Sequence, residues 1–586
     1  MEAFSESLDA FDSLYGFIMA ATTPAKTRNG APDLSDFRKR FPLTVASFGA
    51  LAERETWLRR IWELDARWQQ SMLGEHEEQE AIVSGAPPAG LEIEADYEII
   101  YAGGVLGLLH AAVMSCRYKR RVMVFDAHMV GHTHRDWNIS DEELKEFERV
   151  GLFTKEETEA AVANRYRSGF VKFHDTGSRV KTPPLWIDGV LDVAVEADKL
   201  LGLAASKIER SQTNSELMNG LRFVRCYVQP ERVAVEVEEV RTGRRRLFGA
   251  RLFVDATGTN SPVARQLNNG RSLTHVCPTV GTVARGFVRG SEPDKVDFSV
   301  GEILVSNEDA QEHRQLIWEG FAGSRQRDEY TTYLFFYDAV NSPADKSLLA
   351  LFERYFESLP RYKRKGTQWR VVKPVFGYIP SFHNHGWANR KRTAANRLML
   401  VGDSAGLSSP LTFCGFGSHV RNLHRLTHLT HLALKADMLD EAALSEINAY
   451  EARVAQMASF AEFLRPTAKS EPAAVNETLN AVMAALHSLD ERVRRELFQD
   501  RMSFSALKGL LSQTARLYPR IFKRVREHLG ARGTFWWLTD IAAAAFSERS
   551  AARSNTAAAE TSADAAAEFA QHVRLYKNPQ SADDNR

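Results

Sequence analysis

Between Tyr97 and Asp126 the chain reads as strand, glycine turn, helix and second strand, and this order fixes the fold class more tightly than any other stretch. Tyr97-Glu98-Ile99-Ile100-Tyr101 is strand-like, Ala102-Gly103-Gly104-Val105-Leu106-Gly107 is the turn, and Leu108-Leu109-His110-Ala111 opens a helix. Arg121 to Phe125 is a second strand, ended by Asp126. Parallel strands joined by a helical crossover form a βαβ unit. The glycines allow a tight turn, the helix N-terminus offers free N–H groups to a pyrophosphate, and an acid closing the second strand suits a ribose hydroxyl. Asp126 lies 22 positions after Gly104, in register for that role. Ala102 stands where the first glycine is usual, and its methyl is accommodated if φ is negative. Glu98 is an odd guest in a buried strand.

Two later stretches have the same flavour. Phe253-Val254 leads into Asp255-Ala256-Thr257-Gly258, with Ser261 and Arg265 just beyond, a second glycine turn after a strand. Leu398-Met399-Leu400-Val401 reads as a buried strand, followed by Gly402-Asp403, a loop ended by Pro410, and Gly415-Phe416-Gly417 opening a helix. A phosphate-bearing cofactor is the natural occupant of such a loop; a plain surface connection is the alternative. Each motif alone is common, but three in succession are not.

At 586 residues the chain needs two or more domains. Lys plus Arg and Asp plus Glu are 75 each, so no global field favours nucleic acid. No apolar run reaches a membrane span, and the N-terminus lacks a signal peptide's order, which gives a cytoplasmic expectation. Four scattered cysteines show no paired metal spacing. His132 with His134, and His424 with His428, have chelating separations but no grouped carboxylate or thiolate, so no metal is expected.

The division expected from these signals begins with helical residues 1–90, ending in the linker Ser84 to Gly90. An α/β, Rossmann-like domain follows in two parts, 91–270 and 396–435. An inserted antiparallel sheet, 271–395, is rich in aromatics (Trp318, Phe321, Tyr330, Tyr333 and others); most belong to a core, and the remainder can line an apolar cavity. Helices fill 436–546, and the Ala- and Ser-rich stretch 547–586 reads as a disordered tail. Within the whole, Ser140 and Glu143 form a capping box, a helix is expected from Val190 to Ile208, and a hairpin turns at Thr242-Gly243. Tyr518 to Phe546 combines basic and aromatic residues, as a segment lying on a membrane surface or packing on the body would.

The order of the three motifs resembles the flavoprotein superfamily of aromatic hydroxylases, geranylgeranyl reductases and lycopene cyclases. Trp137-Asn138-Ile139-Ser140 and Leu407-Ser408-Ser409-Pro410-Leu411-Thr412-Phe413-Cys414-Gly415-Phe416-Gly417 are similar to the CruA/CruP-type lycopene cyclases within it. Gly301-Glu302-Ile303-Leu304 and Thr331-Thr332-Tyr333-Leu334-Phe335 have the same look. The resemblance spans about 91–435. It implies a glutathione-reductase-like FAD domain. Ala102, Gly103, Gly104 and Gly107 would meet the pyrophosphate and Asp126 the ribose. Asp403 would meet the ribityl–pyrophosphate side, with Gly415 and Gly417 near the isoalloxazine, and Gly258, Gly402, Pro410 and Phe416 would be further FAD contacts.

The activity so implied is the redox-neutral closure of lycopene's ends to β-rings, giving γ-carotene or β-carotene, with reduced FAD supplying negative charge beside a carbocation. NAD(P)H as a transient donor, or a separate reductase, would keep the flavin reduced. A lipophilic carotene implies peripheral membrane contact. The Phe-Leu-Glu-Glu-Thr motif of plant cyclases is absent. Glu319, one carboxyl among apolar neighbours, is the candidate proton donor, with Asp136 and Glu302 as rivals. The alternatives are a reductase-like or oxygenating flavoenzyme acting on an isoprenoid, and a pigment-binding flavoprotein without activity.

Overall fold

The structure is a computed structural model that describes residues 32–73, 80–324, 326–383, 391–406, 412, 414–447, 459–467, 470–554 and 564–577. Its first sheet is parallel where the sequence demands it. Ile93–Ala102 lies between Arg245–Asp255 and Val122–Asp126, Glu216–Asn219 extends it beyond Val122–Asp126, and Leu398–Leu400 joins the far side of Arg245–Asp255. Alternate side chains of the central strands feed two cores. Ile99 and Tyr101 pack with helices Leu106–Cys116, Ala197–Glu209 and Leu423–Ala436, while Ile100 and Ala102 pack beneath the opposite face. Both faces being covered is what makes such strands apolar without alternation. Glu98 is tolerated because it is only half-buried and accepts from Arg120 Nη1 at 2.5 Å and from the Arg121 N–H at 3.1 Å.

The expected hairpin is Val233–Glu239 with Arg245–Asp255, and Leu221–Val228 completes an antiparallel meander beside it. Ile82–Ser84 adds an edge strand to Leu221–Val228, so the ladder begins inside the stretch read as helical extension and linker. Ala197–Glu209 starts later than the helix expected from Val190, because Val193-Ala194-Val195 is taken as a strand between Trp137–Ile139 and Val162–Arg165.

The second sheet is wider than residues 271–395. The long strands His275–Phe287 and Lys365–Ser381 pair antiparallel, and Glu329–Phe335, Ile317–Ala322 and Val300–Val305 continue the sheet. Ser168–Lys172 and Leu185–Ile187, from the first half of the chain, then extend it. Helix Leu348–Tyr362 covers one face, burying Phe352, Tyr355, Phe356 and Leu359, and Trp318 stacks on Tyr362 at 4.4 Å. All the aromatics noted in this region are buried.

The N-terminal helix Arg54–Leu73 belongs to this half. Leu58, Ile61 and Trp68 are buried, and Trp68 stacks on Tyr378 at 4.5 Å. Asp65 does more than pack. Its carboxylate accepts from the N–H groups of Leu348 (2.8 Å) and Leu349 (3.2 Å), and from the hydroxyls of Ser347 and Tyr378 (2.7 Å each). A side chain from one helix therefore caps another, where unpaired N–H groups would otherwise be buried.

The expectation of a disordered tail fails at Ala565–Lys577. This helix packs on Leu423–Ala436, with Phe569 and Val573 buried, since its few large residues recur at helical spacing among the alanines.

Asp65→Ala strands four buried donors and is expected to cost about 3 kcal/mol, by the penalty for unsatisfied polar groups. The measurement is the thermal unfolding midpoint, which should fall by several degrees; an unchanged midpoint would show that the cap carries no weight.

Candidate active site

The three glycine motifs meet at the C-terminal ends of the parallel strands. Ala102 ends its strand in extended backbone, paired with Asp255 and Phe125, so its methyl meets no conformational obstacle. Gly103 takes φ +110°, and a Cβ there would lie 2.1 Å from the Ala256 carbonyl oxygen. A Cβ on Gly104 would come within 2.8 Å of Val130 Cα, and one on Gly107 within 2.8 Å of Ala256 Cβ. The Asp-Ala-Thr-Gly turn thus presses directly on the first turn. Asp126 accepts from the Gly104 N–H at 2.9 Å through Oδ2 and from the His128 N–H at 2.8 Å through Oδ1. The helix that follows, Leu106–Cys116, has no side-chain cap and no acid in its first turn.

Ser404 joins the second motif to the third. Its Oγ accepts from the Gly258 N–H at 2.9 Å and contacts Asp255 Oδ1 at 3.4 Å. Asp255 is fully buried and also accepts from the Thr257 N–H (2.9 Å), the Thr257 hydroxyl (2.7 Å) and the Ser261 hydroxyl. Burial raises its carboxyl, and those hydroxyl and N–H donors pull it back. Gly402, at φ +64°, sits over the helix start: a Cβ there would be 3.1 Å from Leu106 Cδ1. Gly258, at φ +92°, has open space where its side chain would be.

Asp403 is half-buried beside two cations that the sequence did not single out. Burial raises its carboxyl, and Arg135 and Lys391 oppose that. The Lys391 ammonium donates to the Ser404 carbonyl at 3.1 Å, and burial pushes it down to about 7 against the pull of Asp255 and Asp403. Arg135 reaches over the second sheet at Gly377, where a Cβ would fall 2.0 Å from its Nη2. Neither cation has a local motif; both are placed by the fold.

The described C-terminal end of the second resemblance stretch lies against the first. Trp137 stacks on Phe416 at 4.0 Å and 22°. Glu143, the capping-box partner of Ser140, pairs with Arg421 at 2.5 Å in the helix Gly415–Arg421, and both are buried. Gly417 must be glycine for that pair, since its Cβ would lie 2.1 Å from Glu143 Oε2. Gly415 opens the helix. Pro410 lies outside the described residues.

Segment 134–139 bridges from this cradle to the second sheet, on the face opposite helix Leu348–Tyr362. His134 Nε2 lies 2.9 Å from the Phe376 carbonyl, and His132 is 3.9 Å from Asp198. Asp136 pairs with Lys373 at 2.8 Å, and its backbone carbonyl accepts from the Tyr333 hydroxyl at 2.9 Å. Glu302 is buried in an ion pair with Lys363. Glu319 differs from both. It faces its cross-strand partner Tyr333 from strand Ile317–Ala322, is fully enclosed, and meets the Asn138 side-chain amide at 3.5 Å. No cation pairs with it among the described residues. Burial pushes its carboxyl up to about 8, against the opposing Asn138 amide, so it is protonated near neutral pH.

The cradle fits FAD on these observations. An uncapped helix start follows a turn of two glycines, open space lies where a Gly258 side chain would be, an acid ends the neighbouring strand, and two cations stand beside Asp403.

No protein-family model matches the chain, and no curated protein sequence matches it. Solved structures do. A geranylgeranyl bacteriochlorophyll reductase-like protein from Thermoplasma acidophilum superposes with a TM-score of 0.53 at 13% identity, covering 74% of this chain and 99% of that one. The halogenase PltM gives 0.50 at 14% identity, covering 77% and 96%. PltM in complex with phloroglucinol and FAD gives 0.50 at 13% identity, with the same coverage. The chain has the fold of these reductase-like and halogenase proteins. At such identities the likeness is one of fold.

Glu319 also makes stability depend on pH. Its folded pKa lies above the ordinary 4.5, so the folded state holds the extra proton between pH 4.5 and about 8, and stability falls as pH rises through that window. Glu319→Gln is expected to reduce the loss of thermal midpoint between pH 5 and pH 9; equal losses in both proteins would contradict the buried, protonated acid.

Proposed function

We propose that this chain is an FAD-dependent cyclase of a linear carotene, with lycopene as the substrate and Glu319 as the proton donor. The observation that carries the reading is Glu319, buried opposite Tyr333 and beside Asn138 of the bridging segment with no cation on it among the described residues, while Asp136 and Glu302 are tied up in ion pairs. An acid held protonated in an apolar wall suits proton transfer to an alkene.

Ala102, Gly103, Gly104 and Gly107 would receive the FAD pyrophosphate over the start of helix Leu106–Cys116, and Asp126 the ribose. Gly258, Gly402 and Asp403, with Arg135 and Lys391, would hold the ribityl side, and Phe416 with Trp137 would form an aromatic edge for the ring. Bound and reduced, FAD supplies negative charge and an electron-rich surface beside a cation.

The chain's own part is acid–base chemistry. The Glu319 carboxyl gives its proton to a terminal carbon–carbon double bond of the carotene, leaving a tertiary carbocation. A second double bond of the same chain attacks that cation and closes the ring, and a proton then leaves a ring carbon. Atoms balance, and no electrons are gained or lost. Tyr333 and Phe321 flank Glu319 with rings 6.2 Å apart, and aromatic faces stabilise a cation held away from water. Asp136, joined to that face through Tyr333 and Thr331, is the candidate acceptor for the departing proton.

No helix among the described residues is long and apolar enough to cross a membrane. A carotene nevertheless arrives from a lipid phase. Ile521–Ser554 is two helical pieces meeting at the non-helical Gly530; Phe522 is exposed on the first, Phe535 and Leu538 on the second, with Arg520, Lys523, Arg526 and Arg532 exposed nearby. This pattern suits contact with an anionic membrane surface. Phe535→Asp is expected to lower binding to vesicles of phosphatidylglycerol and phosphatidylcholine several-fold; unchanged co-sedimentation would remove this face from the account.

The main test is pigment analysis of a lycopene-accumulating host. The wild-type chain should convert lycopene to ring-bearing products, and Glu319→Gln should cut conversion about 100-fold or more, the scale of a lost general acid, with flavin still bound. Full conversion by the variant would place the acid elsewhere.

A further inference from the structure

At the end of the second sheet that adjoins the third glycine loop, where the Ser272 carbonyl oxygen lies 3.7 Å from the position of a Cβ on Gly406 and Lys391 Nζ is 5.7 Å from the Phe382 ring, three buried side chains distant in sequence converge. His275 opens strand His275–Phe287, His383 follows strand Lys365–Ser381, and Glu462 comes from the short turn Ser459–Leu464 of the C-terminal region. Their exposures are 6%, 2% and 7%, and one ligand atom from each lies within 4.8 Å of the others. Glu462 Oε1 is 2.6 Å from His275 Nε2 and 3.5 Å from His383 Nδ1. A fourth ligand is close: His528 Nε2, from helix Ile521–Ser554, lies 3.6 Å from Glu462 Oε2.

The surroundings aim these atoms. His275 Nδ1 lies 3.0 Å from the Thr274 hydroxyl, which turns Nε2 toward Glu462. His383 Nε2 meets the Tyr337 hydroxyl, which turns Nδ1 the same way, and the His383 backbone N–H donates to Thr274 Oγ1 at 2.9 Å. Arg465 Nε donates to Glu462 Oε2 at 2.7 Å and holds the carboxylate in place. Metal-binding histidines are oriented in this manner, through the nitrogen that does not touch the metal. The Nε2 atoms of His275 and His528 are buried and make no aligned hydrogen bond, although each lies near a carboxylate oxygen. Nitrogen and oxygen ligands at a closed, buried point suit a zinc-type divalent ion better than calcium or magnesium, which prefer oxygen alone.

We propose that His275, His383 and Glu462, with His528 as the fourth ligand, bind one zinc-type divalent ion that fastens the C-terminal helical region to the second sheet. The site uses none of the residues assigned to the cradle or to the ring closure, so it stands or falls independently of that function.

The test uses the full-length protein, produced with added zinc, dialysed, and analysed for metal by mass spectrometry. About one zinc per chain is expected, and Glu462→Gln and His383→Ala, checked for native circular dichroism, should each lower the bound metal about ten-fold or more. Cobalt(II) added to the metal-free wild type should give the visible bands of a four-coordinate nitrogen–oxygen site, and a strong chelator should lower the wild-type thermal midpoint. A wild-type protein with less than about 0.1 metal per chain and no cobalt bands would overturn the proposal, given the affinity a structural site of this class requires. Full metal retention in the native-like His383→Ala variant would do the same.

Discussion

Asp255 and Ser404 carry the interaction on which the arrangement depends. A carboxylate with no exposure is costly unless donors surround it, and Asp255 has Thr257, Ser261 and Ser404 about it. Ser404 uses the same hydroxyl to receive the Gly258 N–H, so two loops nearly 150 positions apart are held by one oxygen. Ala256, in the same turn, fixes how close Gly103 and Gly107 must pass. The glycines are therefore required first by protein packing against protein. The uncapped helix start beside them is what a pyrophosphate can use.

From that knot the bridge through residues 134–139 sets the relation of the two sheets. Trp137 rests on Phe416, Glu143 locks onto Arg421 through the gap at Gly417, and Asn138 and Asp136 reach the second sheet. Glu319 is pressed between this bridge and its own sheet with no cation on it among the described residues. Glu302 has Lys363 as a buried ion-pair partner, whereas burial raises the Glu319 carboxyl with only the Asn138 amide opposing it. Placement in an apolar wall, more than any neighbouring charge, makes Glu319 an acid.

Much of this was legible in the sequence wherever one local segment held the whole signal. The βαβ unit, the hairpin at Thr242-Gly243 and the capping box at Ser140 need only near neighbours, and all are present. Glu319 could be picked out because its flanks are apolar. Helix Leu348–Tyr362 has apolar residues at helical spacing, yet Pro360 interrupts the pattern near its end. The parallel pairing of Ser168–Lys172 with Val300–Val305 leaves no trace in either segment, since register is a property of the pair. Lys391, Arg135 and Ser404 lie outside any spacing rule, and the His275–His383–Glu462 cluster spans separations far beyond a local chelating motif.

The most direct measurement is the mass of the product formed from lycopene by the full chain, reduced with dithionite, in deuterated water without oxygen. Ring closure by a solvent-exchanged acid adds one deuteron and releases one hydrogen for each ring, so the account predicts a gain of about one mass unit per ring and no other change. Addition of two hydrogens without ring formation would mark a reductase. Recovery of unchanged lycopene from fully flavin-loaded protein would contradict catalysis outright.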